Sequence, residues 1–362
     1  GQLLGQGGFS CVYNLRRRRQ VRRKSSPSKF EFDLSSAETD LPTAPDVTNT
    51  SDCSSSTRSQ PDLELASDGQ DSSSSPLAPD FPSKEPLVAK LLHSKTLKEP
   101  KTAQKAARDL QIEATILSTI PHHRNIIQLR GVSAEFWTCG SLGSTHESFL
   151  VLEKLCEPLN VTLRRWATEA RASFSSKSGL LNLFEKKHYL SRNAQADRLD
   201  QVALSVASAM KFLHKHNVIF RDLKPHNIGF DSEGRVRLFD FASARILDKS
   251  TDKLSRRCGT VRYMAKEVAR KERYGLSADI YSYGMVVWEL CTLTRPFNSA
   301  SSKEQLNQWV QQPHKLPAVR QIASPQIRQL LTQCWSEDPQ ERPSFKAIYS
   351  QVKKEARFNK TR

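Results

Sequence analysis

The chain has 362 residues, 55 Lys and Arg against 38 Asp and Glu, a formal charge of +17, and 37% apolar residues. That length supplies core material for one large domain or two ordinary ones, which excludes a small disulfide-stapled scaffold and a wholly disordered chain. No apolar run reaches the roughly 18–20 residues that a membrane-spanning helix needs; the longest, 281–293, contains Glu289.

The opening Gly1-Gln2-Leu3-Leu4 has neither a basic n-region nor an initiator Met, so no signal peptide is expected. The seven cysteines (11, 53, 139, 156, 258, 291 and 334) are odd in number and never form a Cys-x-x-Cys pair. They read as free thiols in a reducing compartment; the missing targeting signals are what lead to the expectation of a cytoplasmic or nuclear chain.

Residues 1–13 alternate around Gly5-Gln6-Gly7-Gly8-Phe9-Ser10-Cys11-Val12 and predict a strand–turn–strand. Glycines between two strands let backbone N–H groups approach a phosphate, although such a hairpin suits a purely structural turn as well. Residues 16–29 carry eight Lys or Arg and no acid, whereas 31–85 carry twelve Asp or Glu, two basic residues and thirteen Ser. With so little apolar surface to offset its ordering entropy, 16–86 is expected to be a disordered insertion. The basic run could bind an anionic partner (nucleic acid or lipid) or act as an import signal, but a solvated run that meets the acidic stretch is the better reading.

The globular pattern resumes at 86–92, an apolar strand interrupted by Lys90. A buried ammonium needs an anion. Glu113, amid apolar positions of a helix predicted over 101–120 from Ala106, Leu110, Ala114 and Leu117, is one candidate; snorkelling of Lys90 from an edge strand is the other reading. Strands follow at 126–132 and 148–153, then a second, shorter insertion at 173–191. Helices are predicted over 202–216, 278–293, 305–311, 322–335 and 345–355, with a basic tail at 356–362. Strands first and helices afterwards indicate an α+β chain in two lobes.

The densest chemistry lies in Phe220-Arg221-Asp222-Leu223-Lys224-Pro225-His226-Asn227, after a helix and a short apolar strand. Pro225 opposes continuation as helix. Asp222 can accept a hydroxyl proton, Lys224 can offset phosphate charge, and Asn227 can reach a metal. Thirteen residues past Asn227, beyond a turn at 231–234 and a strand at 236–238, stands Asp240-Phe241-Ala242. This puts a second carboxylate at a strand end, available to Mg²⁺.

In this order the pieces resemble the signature set of the eukaryotic protein kinases. They are the glycine-rich loop at 5–12, a Val-Ala-x-Lys-like strand ending in Lys90, the helix acid Glu113, a His-Arg-Asp-like loop and an Asp-Phe-Gly-like triplet. The resemblance continues through 259–267, Asp279 in Ser277-Ala278-Asp279-Ile280, and Cys334-Trp335 followed by Asp338–Pro343. It covers 1–15 and 87–355. It implies a bilobal kinase domain over 1–355, with a small β-rich N-lobe (about 1–155) interrupted by 16–86 and a larger helical C-lobe (about 156–355).

The same resemblance implies ATP and Mg²⁺ as cofactors and protein Ser or Thr hydroxyls as acceptors. Gly5, Gln6, Gly7, Gly8 and Val12 would cover the nucleotide, and Lys90, oriented by Glu113, would hold its α- and β-phosphates. Ala89 and Leu152 would border the adenine, read by the backbone of Glu153 through Leu155. Asp222 would position the hydroxyl and take its proton, Lys224 would stabilise the transferred group, and Asn227 and Asp240 would coordinate Mg²⁺. Lys224, two residues after Asp222, resembles the Ser/Thr class, and the Thr260 hydroxyl can bond both. Arg130-Gly131-Val132 and the Trp335 region resemble the tyrosine-kinase-like branch, whereas 220–222 and 227–231 do not.

Arg221 is suited to pair with a phosphate on Ser250, Thr251 or Ser255 and so order the segment before Thr260. Three positions depart from the pattern: Phe220 for His, Ala242 for Gly and Lys266 for Pro. Phe220 can still pack on Phe241, and Glu267 can still pair with Arg342. The alternative is a pseudokinase, a nucleotide-binding or scaffolding module; such relatives usually lack one of Lys90, Asp222, Asn227 and Asp240, all present here.

Overall fold

The computed structural model describes residues 3–6, 10–15, 86–93, 96, 98–133, 136, 148–175, 193–249 and 253–360. The predicted insertion 16–86, apart from Pro86, lies outside them, as do Gly7, Gly8, Ser250 and Thr251.

Short apolar runs build one antiparallel sheet from β1 (Leu3–Gln6), β2 (Ser10–Asn14), β3 (Leu87–Leu92), β4 (Leu129–Val132) and β5 (Phe149–Glu153). The strand order is β1-β2-β3-β5-β4. Val12 opposes Lys90, Lys90 opposes Leu150, and Val88 opposes Leu152. Opposed residues share a face and neighbours along a strand alternate. Val12, Val88, Lys90, Leu150 and Leu152 therefore occupy one face, and Ala89 and Val151 the other.

The first face joins a hydrophobic core with Ala106, Leu110 and Ala114 of α1 (Pro100–Thr119). Pro100 opens this helix at a position that needs no N–H donor. It closes at Ile120, whose extended backbone (φ −76°, ψ 141°) is what the following Pro121 requires.

Helices dominate the remainder. α2 (Leu159–Ser175) follows the two-residue strand β6 (Glu157–Pro158) and takes in the start of the segment expected to be an insertion. A π-turn at Leu199–Ala203 leads into α3 (Leu204–Lys215). Next come β7 (Val218–Ile219), β8 (Ile228–Phe230), β9 (Val236–Leu238) and β10 (Arg245–Ile246), with β6-β8-β9 and β7-β10 forming two small sheets. Then follow α4 (Lys266–Ala269), α5 (Ser277–Thr292), α6 (Lys303–Gln311), α7 (Pro325–Cys334) and α8 (Phe345–Lys360).

α5 is buried from Ala278 to Cys291. Gly284 lets it close against α7: a Cβ there would stand 2.6 Å from Trp335 Nε1. α7 starts three residues later than its apolar pattern predicts, because Ser324 caps it by accepting from Ile327 N at 3.1 Å. α8 runs on through residues 356–360, which are helical and not a tail. Among the described residues no helix is long and apolar enough to cross a membrane.

Candidate active site

The loop after β7 carries Arg221 at a positive φ of 69°, a conformation costly for a side chain with a Cβ. Asp279, in the first turn of α5, holds it there. Its two carboxylate oxygens accept Phe220 N and Arg221 N, each at 2.8 Å, and His214 Nε2 lies 3.0 Å away. Asp279 is 1% exposed, so these charge-assisted bonds work in a dry environment.

The next residue, Asp222, receives a set of converging donors. Its Oδ1 accepts from Thr260 N and Thr260 Oγ1, both at 2.8 Å, and its Oδ2 accepts from Lys224 Nζ at 2.7 Å. Lys224 also donates to Thr260 Oγ1 at 2.9 Å, closing a three-residue ring. Gly259 makes this approach achievable: at φ +101°, a Cβ would sit 2.3 Å from the Arg221 carbonyl. Pro225 starts a 3₁₀ turn, Pro225–Asn227, which brings Asn227 Nδ2 to the Asp222 carbonyl at 2.9 Å.

The β8–β9 hairpin returns the chain beside this loop. Asp231 shapes its turn by accepting Glu233 N and Arg235 N at 2.9 Å. At the hairpin's exit Asp240 adopts a left-handed conformation (φ 66°, ψ 72°). Its carboxylate meets Lys90 Nζ at 3.0 Å, and the same ammonium lies 2.5 Å from Glu113 Oε2. Glu113 Oε1 accepts Phe241 N at 3.3 Å, tying α1 to the turn after Asp240. The sequence-based alternative, a snorkelling Lys90, is not what is observed.

Burial alone would push Lys90 down, but Asp240 and Glu113 reverse the effect and hold its pKa above the ordinary lysine range. Lys90 in turn depresses the Asp240 carboxyl. Burial raises Glu113 and Lys90 opposes that rise.

The three departures from the family pattern are each accommodated. Phe220 packs edge-on against Phe241, with centroids 5.1 Å apart. Ala242 lies within the 3₁₀ turn Phe241–Ser243 and has no positive φ, so its Cβ meets no backbone penalty. Lys266 is buried and donates to the Pro313 carbonyl and to Glu337 at 3.2 Å, while Arg342 grips Glu267 at 2.7 and 2.9 Å.

One expectation needs correction. Ala89 does not share a face with Lys90 and Leu152; the register pairs it with Val151 on the opposite side of the sheet. Lys90 follows Ala89 directly, without the intervening residue of the Val-Ala-x-Lys pattern, so Val88 takes the place beside Leu152. Val12 and Leu152 lie on the Lys90 face, and Leu155 packs near Gly229 of β8. Gly5 and Gln6 belong to β1. The Glu153 side chain faces Arg237 at 3.3 Å and accepts from Gln128 N at 3.0 Å. Ser255 is exposed; Arg221 Nε donates to the Ser243 carbonyl at 2.6 Å.

The partnerships that sequence reasoning missed are those of Asp279 with the 220–221 backbone, of His214 with Asp279, and of Tyr263 with Glu289 (2.6 Å). Asp279 was recognisable as an acid at a helix start; its partners lie 58 and 59 residues away and leave no local signal.

A family model described as Protein kinase domain matches residues 87–352. The probable serine/threonine-protein kinase drkC of Dictyostelium discoideum is 32% identical over 249 residues, covering 67% of this chain and 29% of that protein. From Arabidopsis thaliana, the serine/threonine/tyrosine-protein kinase HT1 is 32% identical over 154 residues (42% of this chain, 39% of that protein). The serine/threonine-protein kinase STY17 of the same plant is 36% identical over 148 residues (41% and 26%). The matched regions thus span from about a quarter to two fifths of these relatives.

Proposed function

Since this chain belongs to the protein kinase family, we propose that it transfers the γ-phosphoryl group of ATP to Ser and Thr hydroxyls of proteins. The observation that carries this reading is the convergence of Lys90, Glu113 and Asp240 in one ion-paired cluster, and of Asp222, Lys224 and Thr260 in one hydrogen-bonded ring.

Asp222 orients the acceptor hydroxyl and takes its proton as the oxygen attacks phosphorus. The ring with Lys224 and Thr260 fixes the direction of that carboxylate before substrate arrives. Lys224 carries positive charge to the transferring group, and Lys90, pre-oriented by Glu113, holds the α- and β-phosphates. Val12, Val88, Leu152 and Leu155 supply apolar surface for the adenine, and the backbone from Glu153 to Leu155 reads its edge.

The donors offered to a metal are one carboxylate and one amide oxygen, hard oxygen ligands of the kind Mg²⁺ combines with phosphate oxygens and water. Asp240 is depressed toward its charged form and its side chain is 38% exposed. Asn227 commits its Nδ2 to the Asp222 carbonyl, which leaves Oδ1 to ligate. When bound, Mg²⁺ neutralises phosphate charge.

Regulation belongs to the same reading. Arg245 precedes Ser250 by five residues in the chain and Arg256 follows Ser255, and with Arg221 they would offer cationic partners to a phosphate on Ser250, Thr251 or Ser255. Alanine at all three positions is expected to lower specific activity.

The test is phosphoamino-acid analysis of a generic protein substrate after incubation with Mg·ATP. Phosphoserine and phosphothreonine without phosphotyrosine is the expected product; phosphotyrosine as the main product would contradict the assignment.

A further inference from the structure

Where the family pattern has proline, this chain has Lys266, the first residue of α4. The preceding Ala265 has the extended backbone (φ −65°, ψ 151°) that a proline requires before it. The N–H at the first helical position has no acceptor within the helix, so this backbone suits proline as well as lysine. Lys266 is nevertheless 2% exposed. Burying an ammonium is unfavourable unless the side chain makes bonds that compensate for lost water.

Its bonds run to the C-terminal end of α6. Lys266 Nζ donates to the Pro313 carbonyl, and Arg270, just past α4, donates Nε and Nη2 to the Gln311 carbonyl at 2.9 and 2.8 Å. Glu337 bridges the two cations, 3.2 Å from Lys266 Nζ and 2.6 Å from Arg270 Nη1. Cations at the carbonyl end of a helix satisfy its last acceptors and complement its dipole.

α6 in turn meets the Thr260 segment on both sides of Thr260. Before it, Arg257 Nη2 donates to Asn307 Oδ1 at 2.7 Å; after it, α6 packs on the Val261–Tyr263 turn. Thr260 bonds Asp222 through both N and Oγ1. A continuous series of contacts therefore leads from Lys266 through α6 to the Asp222 carboxylate.

We propose that Lys266 is a positioning residue for Asp222, holding α6 in the place from which α6 braces Thr260 in the Asp222 ring. The proposal rests on the phosphotransfer reading above and adds to it a part that the family pattern does not supply.

The test is a double-mutant cycle on kcat, with the full chain, Mg·ATP and a generic protein substrate. Lys266→Met keeps the apolar stem and removes the ammonium; Lys266→Pro installs the family residue. Each is expected to lower kcat by about threefold to tenfold. Asn307→Ala cuts the contact of α6 with Arg257 at a half-buried position of a helix that alanine favours, and should give a loss in the same range. Because all three act through Thr260, none should lower kcat by more than about a further twofold in a Thr260→Val background. A merely structural lysine predicts equal fold-losses in the two backgrounds, or a lower denaturant midpoint with kcat unchanged in the folded protein. Either result overturns the proposal, as does a wild-type kcat in Lys266→Pro or in Asn307→Ala. If neither Lys266 variant folds, the Asn307→Ala cycle decides. These outcomes leave the kinase reading standing, whereas no transfer by wild type overturns that reading and this proposal together.

Discussion

The Lys90 ammonium and the Asp240 carboxylate stand 3.0 Å apart although 150 residues separate them in the chain. Glu113, 1% exposed, lies on the other side of the same ammonium. Replacing Lys90 by Met leaves a buried carboxylate without its counter-charge, a change that costs about 3 kcal/mol or more. Lys90→Met should therefore lower the denaturant midpoint as well as abolish transfer. Adding Glu113→Gln should restore most of the stability and none of the activity, measured by equilibrium unfolding alongside an ATP assay.

Asp279 supports the reactive loop from beneath. Asp279→Ala deletes two charge-assisted bonds to backbone amides and releases the strained Arg221 conformation. The expected loss is about 3 kcal/mol of stability, together with a fall in kcat for the protein that remains folded. Denaturant titration and steady-state kinetics on one preparation check both.

Thr260 offers a finer test. Its hydroxyl both donates to Asp222 and accepts from Lys224. Thr260→Val keeps the shape and breaks the ring; kcat should drop by about tenfold to a hundredfold. Thr260→Ser keeps the hydroxyl and should retain most of the rate. Equal loss in both variants would assign the position to packing.

Glu289 supplies a pH signature. Burial is the main cause that lifts its pKa to about 7, while the Tyr263 hydroxyl bond pulls the other way. An acid raised in the folded state holds its proton there more tightly than when unfolded. Its favourable contribution is thus complete below the unfolded value near 4.3 and is lost as pH rises through about 7. Glu289→Gln, which retains an acceptor for Tyr263, should stabilise the protein at pH 8 by on the order of 1–3 kcal/mol, with most of the gain gone at pH 5. Thermal unfolding at both pH values decides this, and a gain independent of pH would contradict it.

The parts of the site legible in the sequence were those whose members are close together. Asp222, Lys224 and Asn227 share one eight-residue loop, and Asp240 follows after a single hairpin, so their chemistry could be read locally. The face of β3 was misread at Ala89 because a motif was matched where strand alternation should have decided; counting by two from Lys90 reaches Val88. α2 escaped notice because Asn160, Val161 and Thr162 are weak helix formers, although Leu159, Leu163 and Trp166 have helical spacing. The Asp279 bonds to the loop and the Glu153 contact with Arg237 depend on tertiary folding alone.

The most direct test of the account measures phosphoryl transfer from Mg·ATP to a generic protein substrate by wild type and by Asp222→Asn, with folding verified for both. The Asn variant keeps an amide oxygen for Thr260 and loses the base. Wild type should transfer, and the variant should be slower by about a hundredfold to ten-thousandfold. Equal rates in the two proteins, or no transfer by a folded wild type under any Mg·ATP concentration, would contradict it.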